Sequence, residues 1–272
     1  MNKVVKQITP LRMLPNRMGF SSVDLFNNEF NFEPFLVFTE FHMNQPIFGP
    51  HPHAGMSVMT YMLPDSAGSF LNRDSFGDHS IIEPGGMHVT QAGLGIKHDE
   101  IPTVNGVDCH GFQIWINHAD ENRLIKPKAF HANANEIPEF RSETAVVRIL
   151  QGTYQGLNAP FELVTPLQLY HIFLLPNSSI SLDAFDMSFV YLMQGELILD
   201  NQTCEGISLI QFEKQGSQLL IQSGHVQAEF IFASGKPHHE PIIHGGPFVM
   251  TTEAQLRETH LRLARGEMGD LQ

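Results

Sequence analysis

Short apolar segments that end at turn residues, about every ten residues, are the feature that most constrains the fold of this chain. Residues 57–63 form one such segment, and turn signals follow at 65–68, 75–78 and 84–86. Glycine and proline are abundant, with 22 and 17 residues, whereas charged residues make up only 17% of the chain. Because long charged amphipathic stretches are scarce, the pattern predicts an all-β sandwich or barrel.

Two pairs of candidate metal ligands bracket the segment from residue 51 to residue 100. His51 and His53 form the first pair, and His98 and Glu100 form the second. Residues i and i+2 of a β-strand share a face, so each pair is expected to project from one side of its strand. Two such strands lying side by side would bring four ligands to one point. Imidazole and carboxylate together suit Fe, Mn, Ni, Cu or Zn.

The spacing alone leaves an alternative open for His51 and His53. The pair can belong to a polar loop that enters a strand, with its backbone φ fixed by Pro52. The chain contains 15 histidines, so a pair with one residue between its members also arises by chance.

Further motifs follow in order around these ligands. They are 50–55 (PHPHAG), 58–63 (VMTYML), 73–77 (RDSFG), 84–86 (PGG), 91–100 (QAGLGIKHDE) and 110–117 (HGFQIWIN), with 34–36 and 40–41 upstream and 240–242 and 246–252 downstream. Together they resemble the pirin family, whose members are two-domain proteins of the cupin superfamily. The resemblance covers most of the N-terminal half and the C-terminal tail.

The resemblance implies an all-β fold of two stacked cupin (jelly-roll) β-barrels with a C-terminal α-helix. We expect an N-terminal metal-binding cupin domain at 1–135 and a C-terminal cupin domain, with the helix, at 136–272. The polar stretch 119–141 is interpreted as the connection between them.

A faint internal repeat agrees with two barrels, because residues 190–193 echo residues 60–63. Aligning the two tyrosines of these segments places Ser181 and Asp183 at the positions of the first histidine pair. The second ligand pair falls near Ala228 and Phe230. The second domain is therefore expected to lack metal ligands.

The tail differs in kind from the rest of the chain. Thr252 and Gln255 have the spacing of a capping box, and Leu256, His260 and Leu263 recur at helical intervals. The pattern predicts one amphipathic helix that ends near Gly266 and packs on the body of the protein.

By resemblance, His51, His53, His98 and Glu100 are expected to hold one divalent metal ion, Fe²⁺ first, with Mn, Ni, Cu or Zn as alternatives. The implied activity is that of an iron-dependent dioxygenase acting on a flavonol such as quercetin, similar to quercetin 2,3-dioxygenase. Glu100 is the predicted catalytic residue, a general base for the substrate hydroxyl. The alternative is a metal- or redox-sensing regulatory protein that binds a protein partner without catalysis.

Three residues near the predicted site carry separate expectations. Ala54 and Leu94 stand where the family usually has basic residues, and we expect them to widen the pocket and make it less polar. His88 is either a donor or proton carrier beside the pocket or a strand histidine that faces solvent.

Charge and hydropathy exclude several partners. With a formal charge of −13 and no Lys/Arg cluster, the chain is not expected to bind nucleic acid directly. No apolar run approaches about 18 residues, so no membrane span is predicted. The absence of an apolar leader, with Cys109 and Cys204 far apart in sequence, indicates a cytoplasmic protein. The resemblance implies a small aromatic substrate or a protein partner.

Overall fold

The structure, a computed structural model that describes residues 1–271, is mostly β, with 51% of residues in strands and 8% in helices. This confirms the predicted fold class. In chain order up to residue 135, the elements are β1 Val5–Pro10, β2 Phe20–Phe26, α1 Asn27–Phe30, β3 Phe35–Met43, β4 His51–His53, β5 Met56–Met62, β6 Phe70–Asp74, β7 His79–Ile82, β8 Met87–Gln91, β9 Ile96–Pro102, β10 Cys109–Asn117 and β11 Lys128–Ala132.

The remaining elements begin after two short 3₁₀ turns, Asp120–Asn122 and Ala134–Glu136. They are β12 Glu139–Arg141, β13 Ala145–Gln151, β14 Thr153–Tyr154, β15 Leu157–Asn158, β16 Leu167–Leu174, β17 Ser179–Asp183, β18 Met187–Gln194, β19 Glu196–Leu199, β20 Gln202–Glu205, β21 Ser208–Phe212, β22 Gln218–Ser223, β23 Ala228–Gly235, β24 Ile243–Gly245, β25 Phe248–Met250 and α2 Glu253–Ala264.

The chain forms two compact units, which we call the first barrel (Met13–Asn135 with His238–Gln272) and the second barrel (Met1–Arg12 with Glu136–Pro237). The terminal segments therefore differ from the predicted division at 135/136. Residues 1–12 belong to the second barrel because β1 pairs with β21, and the Lys3 ammonium donates to three backbone carbonyls nearby, each at 3.0 Å.

The first barrel has a six-stranded sheet, in the order β11-β8-β5-β10-β3-β2, and a four-stranded sheet, in the order β4-β9-β6-β7. Both faces of β5 are buried, as the apolar run in its sequence requires. β11, which pairs with β8, lies inside the stretch that the sequence assigned to a connection. That stretch is polar because its strand is an edge strand, so composition alone did not separate it from a linker.

The C-terminal tail closes the first barrel. Val249 N–H donates to Ala54 O at 3.0 Å, and side chains of the tail bury Ala54 completely. The predicted capping box is present: the Thr252 hydroxyl accepts from Gln255 N–H, and the Gln255 side chain accepts from Thr252 N–H. The helix thus packs on the first barrel, whereas the sequence analysis assigned it to the C-terminal domain.

The second barrel has the same strand topology as the first barrel but different side chains in its interior. Its sheets have the orders β1-β21-β18-β23-β16-β13-β12 and β17-β22-β19-β20, so the central run β21-β18-β23-β16 matches β8-β5-β10-β3. Among its described residues, 20 buried residues form one apolar cluster in the interior.

The register assigned to the internal repeat from sequence was wrong: the first ligand pair was placed on the exposed face of the right strand, and the second pair was placed one strand too far. Ser181 and Asp183 are exposed, and the inward residues of β17 are Ile180 and Leu182. The strand equivalent to β9 is β22, whereas Ala228 and Phe230 lie on β23, the counterpart of β10. Unequal loop lengths between the two halves shifted the alignment.

Cys109 and Cys204 are both buried and free.

Candidate metal centre

Three of the four predicted ligands meet where β4 lies against β9. The two strands are antiparallel, with His51 opposite His98 and His53 opposite Ile96. Since residues i and i+2 share a face, all three imidazoles point to the same side. Their ring centroids are 4.8 Å (His51–His53), 4.8 Å (His51–His98) and 5.0 Å (His53–His98) apart. One nitrogen from each ring lies within 4.8 Å of the other two.

Burial lowers the pKa of two of these imidazoles, those of His53 and His98. His53 and His98 are 2% and 1% exposed. Desolvation, with repulsion from His51, lowers the pKa of His53 to about 3, and desolvation with repulsion from the other two rings lowers the pKa of His98 well below its usual value. A neutral imidazole offers a lone pair, which is the form that binds a metal.

Hydrogen bonds on the outer nitrogens orient two of the rings. His51 Nδ1 lies 2.9 Å from Gly49 O, and His98 Nδ1 lies 3.4 Å from Thr90 Oγ1. His98 Nε2 is buried and has no hydrogen-bond partner within residues 1–271. A buried nitrogen of this kind needs a partner, and one metal ion shared by three imidazoles supplies it. The donor set therefore fits a divalent metal.

Glu100 lines the same cavity as His51 and His53. The group of mutually close ligand atoms consists of the three imidazoles, without the Glu100 carboxylate. Its Oε1 accepts a hydrogen bond from Thr60 Oγ1 across the two sheets. Burial raises the pKa of Glu100 to about 7, although hydrogen bonds from Thr60 and Gln113 oppose that rise.

Asp99, between the two ligands of β9, points to the other face, as strand alternation predicts. Its carboxylate is 1% exposed and accepts from the Arg73 guanidinium, with Nε to Oδ1 at 3.0 Å. The ion pair fixes β9 against β6, and it leaves His98 and Glu100 facing inward.

A cavity of about 590 Å³ opens beside the three histidines. Apolar and aromatic side chains dominate its walls, and the acids on its surface are Asp24 and Glu100. The lining residues are Phe20, Asp24, Phe26, Asn27, Asn28, Leu36, Val37, Thr39, Phe41, Met43, Phe48, His51, His53, Phe70, Glu100, Gln113, Trp115 and His244.

Ala54 and Leu94 are absent from that wall, so the expectation that they widen the pocket was wrong. Ala54 is 0% exposed and packs against the tail, in a cluster with Phe248 and Met268. The next strand position after His53 points away from the chamber, so a substitution there changes the packing of the tail.

Two residues of the site carried no signal in the sequence. The Trp115 ring lies 5.0 Å from the His53 ring, edge to face, and forms part of the cavity wall. His244 reaches the same cavity from β24 of the tail. Its position depends on the docking of the tail, which no local pattern reveals.

His88 is buried, so the solvent-facing interpretation was wrong. It is 1% exposed, lies opposite Thr60 in the β5–β8 register, and has Nε2 3.9 Å from Asp78 Oδ2. Desolvation lowers its pKa to about 4. It lies beside Thr60 on the same face of the sheet, contributes to the lowered pKa of His98, and is not among the residues that line the cavity.

Membrane insertion through a helix finds no support in the described part of the chain. Neither α-helix within residues 1–271 is long and apolar enough to cross a bilayer.

Solved structures resemble the whole chain in fold. A quercetin 2,3-dioxygenase from Acinetobacter baumannii superposes with a TM-score of 0.88 at 22% identity, with both chains covered completely. A bacterial pirin from Escherichia coli, in complex with nickel(II), has a TM-score of 0.66 at 20% identity and covers 85% of this chain and 100% of its own. At these identities the likeness establishes the fold, which is that of two cupin domains.

Sequence comparison adds the family. A pirin-like protein of Arabidopsis thaliana is 32% identical over 242 residues, which are 84% of this chain and 77% of the relative. Human pirin is 27% identical over 88% of this chain and 84% of its own length. The family model for pirin matches residues 2–116, and that for the pirin C-terminal cupin domain matches residues 169–269. With both halves matched in order, the chain belongs to the pirin family.

Proposed function

We propose that this chain is an iron-dependent dioxygenase that opens the ring of a flavonol such as quercetin. The observation that carries the proposal is the meeting of three imidazoles, two of them buried, at the wall of an apolar cavity that also contains a carboxyl group with a pKa of about 7. The substrate class follows the quercetin 2,3-dioxygenase that shares the fold.

His51, His53 and His98 would hold the metal, with Glu100 as the fourth ligand or as the base beside it. Iron is our assignment, and Mn, Ni, Cu and Zn also suit imidazole and carboxylate ligands. When bound, the ion supplies Lewis acidity toward a phenolic oxygen and redox chemistry toward O₂.

The cavity walls bind and orient an aromatic substrate. Phe41, Phe70 and Trp115 offer ring faces and edges, and a flat polyphenol packs well against such surfaces. About 590 Å³ is sufficient for a molecule of that class. The same apolar walls exclude water from the reacting atoms.

Glu100 moves the proton. A carboxyl group with a pKa of about 7 is ionised in a substantial fraction of molecules at neutral pH, so an oxygen of its carboxylate can take the proton of a substrate hydroxyl. Thr60 Oγ1, which donates to Oε1, holds the carboxylate in place during this transfer.

The charge of the cavity selects against anions. No Lys or Arg is among the described residues that line it, and its ionisable groups are two acids and three histidines. A neutral phenol enters such a site at a small desolvation cost, whereas a small dianion such as oxalate loses its hydration without gaining a cationic side chain. We therefore expect flavonols to be preferred over dicarboxylates.

Anaerobic reconstitution with Fe²⁺, followed by quercetin and O₂, tests the proposal. We expect loss of the quercetin absorbance band, O₂ consumption and CO release. His51→Ala removes activity together with metal, and Glu100→Gln lowers kcat by about 10²–10⁴-fold, the usual contribution of a general base. His79→Ala, an exposed histidine on β7 of the same barrel, is the matched control and stays active.

Two outcomes contradict the proposal. If neither a flavonol nor oxalate is consumed with Fe²⁺, Mn²⁺, Ni²⁺ or Cu²⁺ although metal is bound, catalysis is refuted and the regulatory alternative takes its place. If oxalate is consumed and quercetin is not, the substrate class is wrong.

A further inference from the structure

A second cluster of metal-type side chains lies on the opposite face of the strands that form the cavity wall. β3 and β10 are antiparallel neighbours, with His42 directly opposite His110. Glu40 shares a face of β3 with His42, since they are two residues apart. Thr39 and Phe41, on the alternate face, line the cavity. The cluster is therefore separated from the three-histidine site by the sheet itself.

The three side chains already touch. The His42 and His110 rings are stacked, with centroids 3.9 Å apart and planes inclined by 14°. His110 Nε2 lies 2.9 Å from Glu40 Oε1. One ligand atom from each residue lies within 4.8 Å of the other two. Two ligand atoms on one tetrahedral zinc ion are about 3.4 Å apart, so closure around an ion requires the longest of these separations to shorten by up to about 1.4 Å.

The surrounding charge favours a cation. Asp108 Oδ2 lies 2.7 Å from His42 Nδ1, and Asp65 Oδ1 lies 3.7 Å from His110 Nδ1. Three carboxylates thus face two imidazoles. A carboxylate on the outer nitrogen of an imidazole is the arrangement that orients a histidine ligand toward a metal. Burial opposes the charged form of His110, and the neighbouring acids more than offset that effect, so the pKa of His110 is raised.

The site is accessible from solvent, as metal exchange requires. The side chains of His42 and His110 are 33% and 16% exposed, and that of Glu40 is 6% exposed. The buried carboxylate of Glu40 and the partly exposed rings of His42 and His110 form a site that solvent can reach from the side of the rings. Three protein ligands leave at least one position for water.

We propose that Glu40, His42 and His110 form a second divalent-metal site, with Asp108 as the residue that orients His42. Two imidazoles and one carboxylate match Zn²⁺, Ni²⁺ and Cu²⁺, and they do not match Mg²⁺ or Ca²⁺, which take oxygen ligands. The site does not depend on the proposed dioxygenase activity, because it lies outside the cavity.

Calorimetric titration with Zn²⁺ at pH 8, in a His51→Ala background that disables the first site, tests the proposal. We expect one Zn²⁺ to bind. Adding His42→Ala weakens binding by at least about tenfold, and Asp108→Asn weakens it by about tenfold, as is usual for partners of metal-bound histidines. Adding His79→Ala, another exposed histidine of the same barrel, leaves the affinity unchanged. Mg²⁺ gives no comparable heat.

A crystallographic readout keeps the result independent of folding defects in the variants. Crystals of the unmodified protein soaked in Zn²⁺ should show an anomalous difference peak between the three side chains at the zinc edge. Equal Zn²⁺ binding with and without His42, or a map without a peak at this position, overturns the proposal. If His79→Ala abolishes Zn²⁺ binding and His42→Ala does not, the metal is held by adventitious surface histidines, and the proposal is overturned as well.

Discussion

Arg123 should control whether the tail stays docked on the first barrel, and its replacement by methionine is the most informative stability experiment. The guanidinium is fully buried after the 3₁₀ turn Asp120–Asn122. Its Nη1 donates to Gly55 O at 3.1 Å and to Val249 O at 3.0 Å, and its Nη2 donates to His118 O. One side chain thus ties the turn after β4 to strand β25 of the tail.

The expected loss follows from these contacts. Each hydrogen bond from a charged donor is worth about 1.5–3 kcal/mol, and Arg123→Met leaves three carbonyls without their donor. Part of this is recovered, because burial of the guanidinium is itself costly, as its lowered pKa shows. We expect the free energy of unfolding to fall by about 3–5 kcal/mol, which corresponds to a Tm decrease of about 10 °C for a domain of this size.

Differential scanning calorimetry, with hydrogen exchange read by mass spectrometry, measures the effect. Exchange should accelerate in residues 247–269 and stay unchanged in the second barrel. Arg141→Met is the matched control, because Arg141 is an exposed arginine of the second barrel, paired with Glu139. A loss below about 1 kcal/mol, with the tail still protected, would refute the assignment of Arg123 as the anchor.

Three further changes test other parts of the account. Gly55→Ala should lower the free energy of unfolding, measured with denaturant, by more than about 2 kcal/mol, because φ is +79° and the new Cβ would lie 1.9 Å from Val249 O. Gly77→Ala, at φ +101° with open space around it, should show the conformational cost alone, and equal losses in the two variants would contradict the steric argument. Burial lowers the pKa of His118 to about 3, so its contribution to the free energy of unfolding is complete above pH 6.5 and is lost as pH falls toward 3. Between pH 6.5 and pH 5, the free energy of unfolding of His118→Gln should therefore fall by about 2 kcal/mol less than that of the wild type, and parallel pH curves would contradict this. Ile221→Ala, in the core of the second barrel, should lower the free energy of unfolding by about 2–5 kcal/mol and leave the metal content unchanged. A loss of metal from the refolded variant would contradict the independence of the two cores.

The sequence predicted those features that depend on local periodicity. Strand alternation alone placed His51 with His53, and His98 with Glu100, on common faces, and Thr252 with Gln255 marked the start of the helix. These predictions succeed because a period of two and a cap spacing of three are fixed by backbone geometry.

Features that depend on long-range packing were not predictable. The tail brings His244 to the cavity and covers Ala54, and neither contact has a sequence pattern, because both depend on which barrel the tail joins. The position of Glu100 relative to the three imidazoles likewise follows from its hydrogen bond to Thr60 on the facing sheet. The repeat register failed for a related reason, since loops of different length shifted the equivalent strand from β22 to β23.

An anomalous difference map at the iron edge, from crystals grown anaerobically with one equivalent of Fe²⁺, shows whether the three imidazoles bind one metal ion. We expect one strong peak within coordination distance of a nitrogen of His51, of His53 and of His98, and no peak in the second barrel. A map with no iron at the three imidazoles, or with iron bound by other side chains only, would contradict the metal centre and the function built on it.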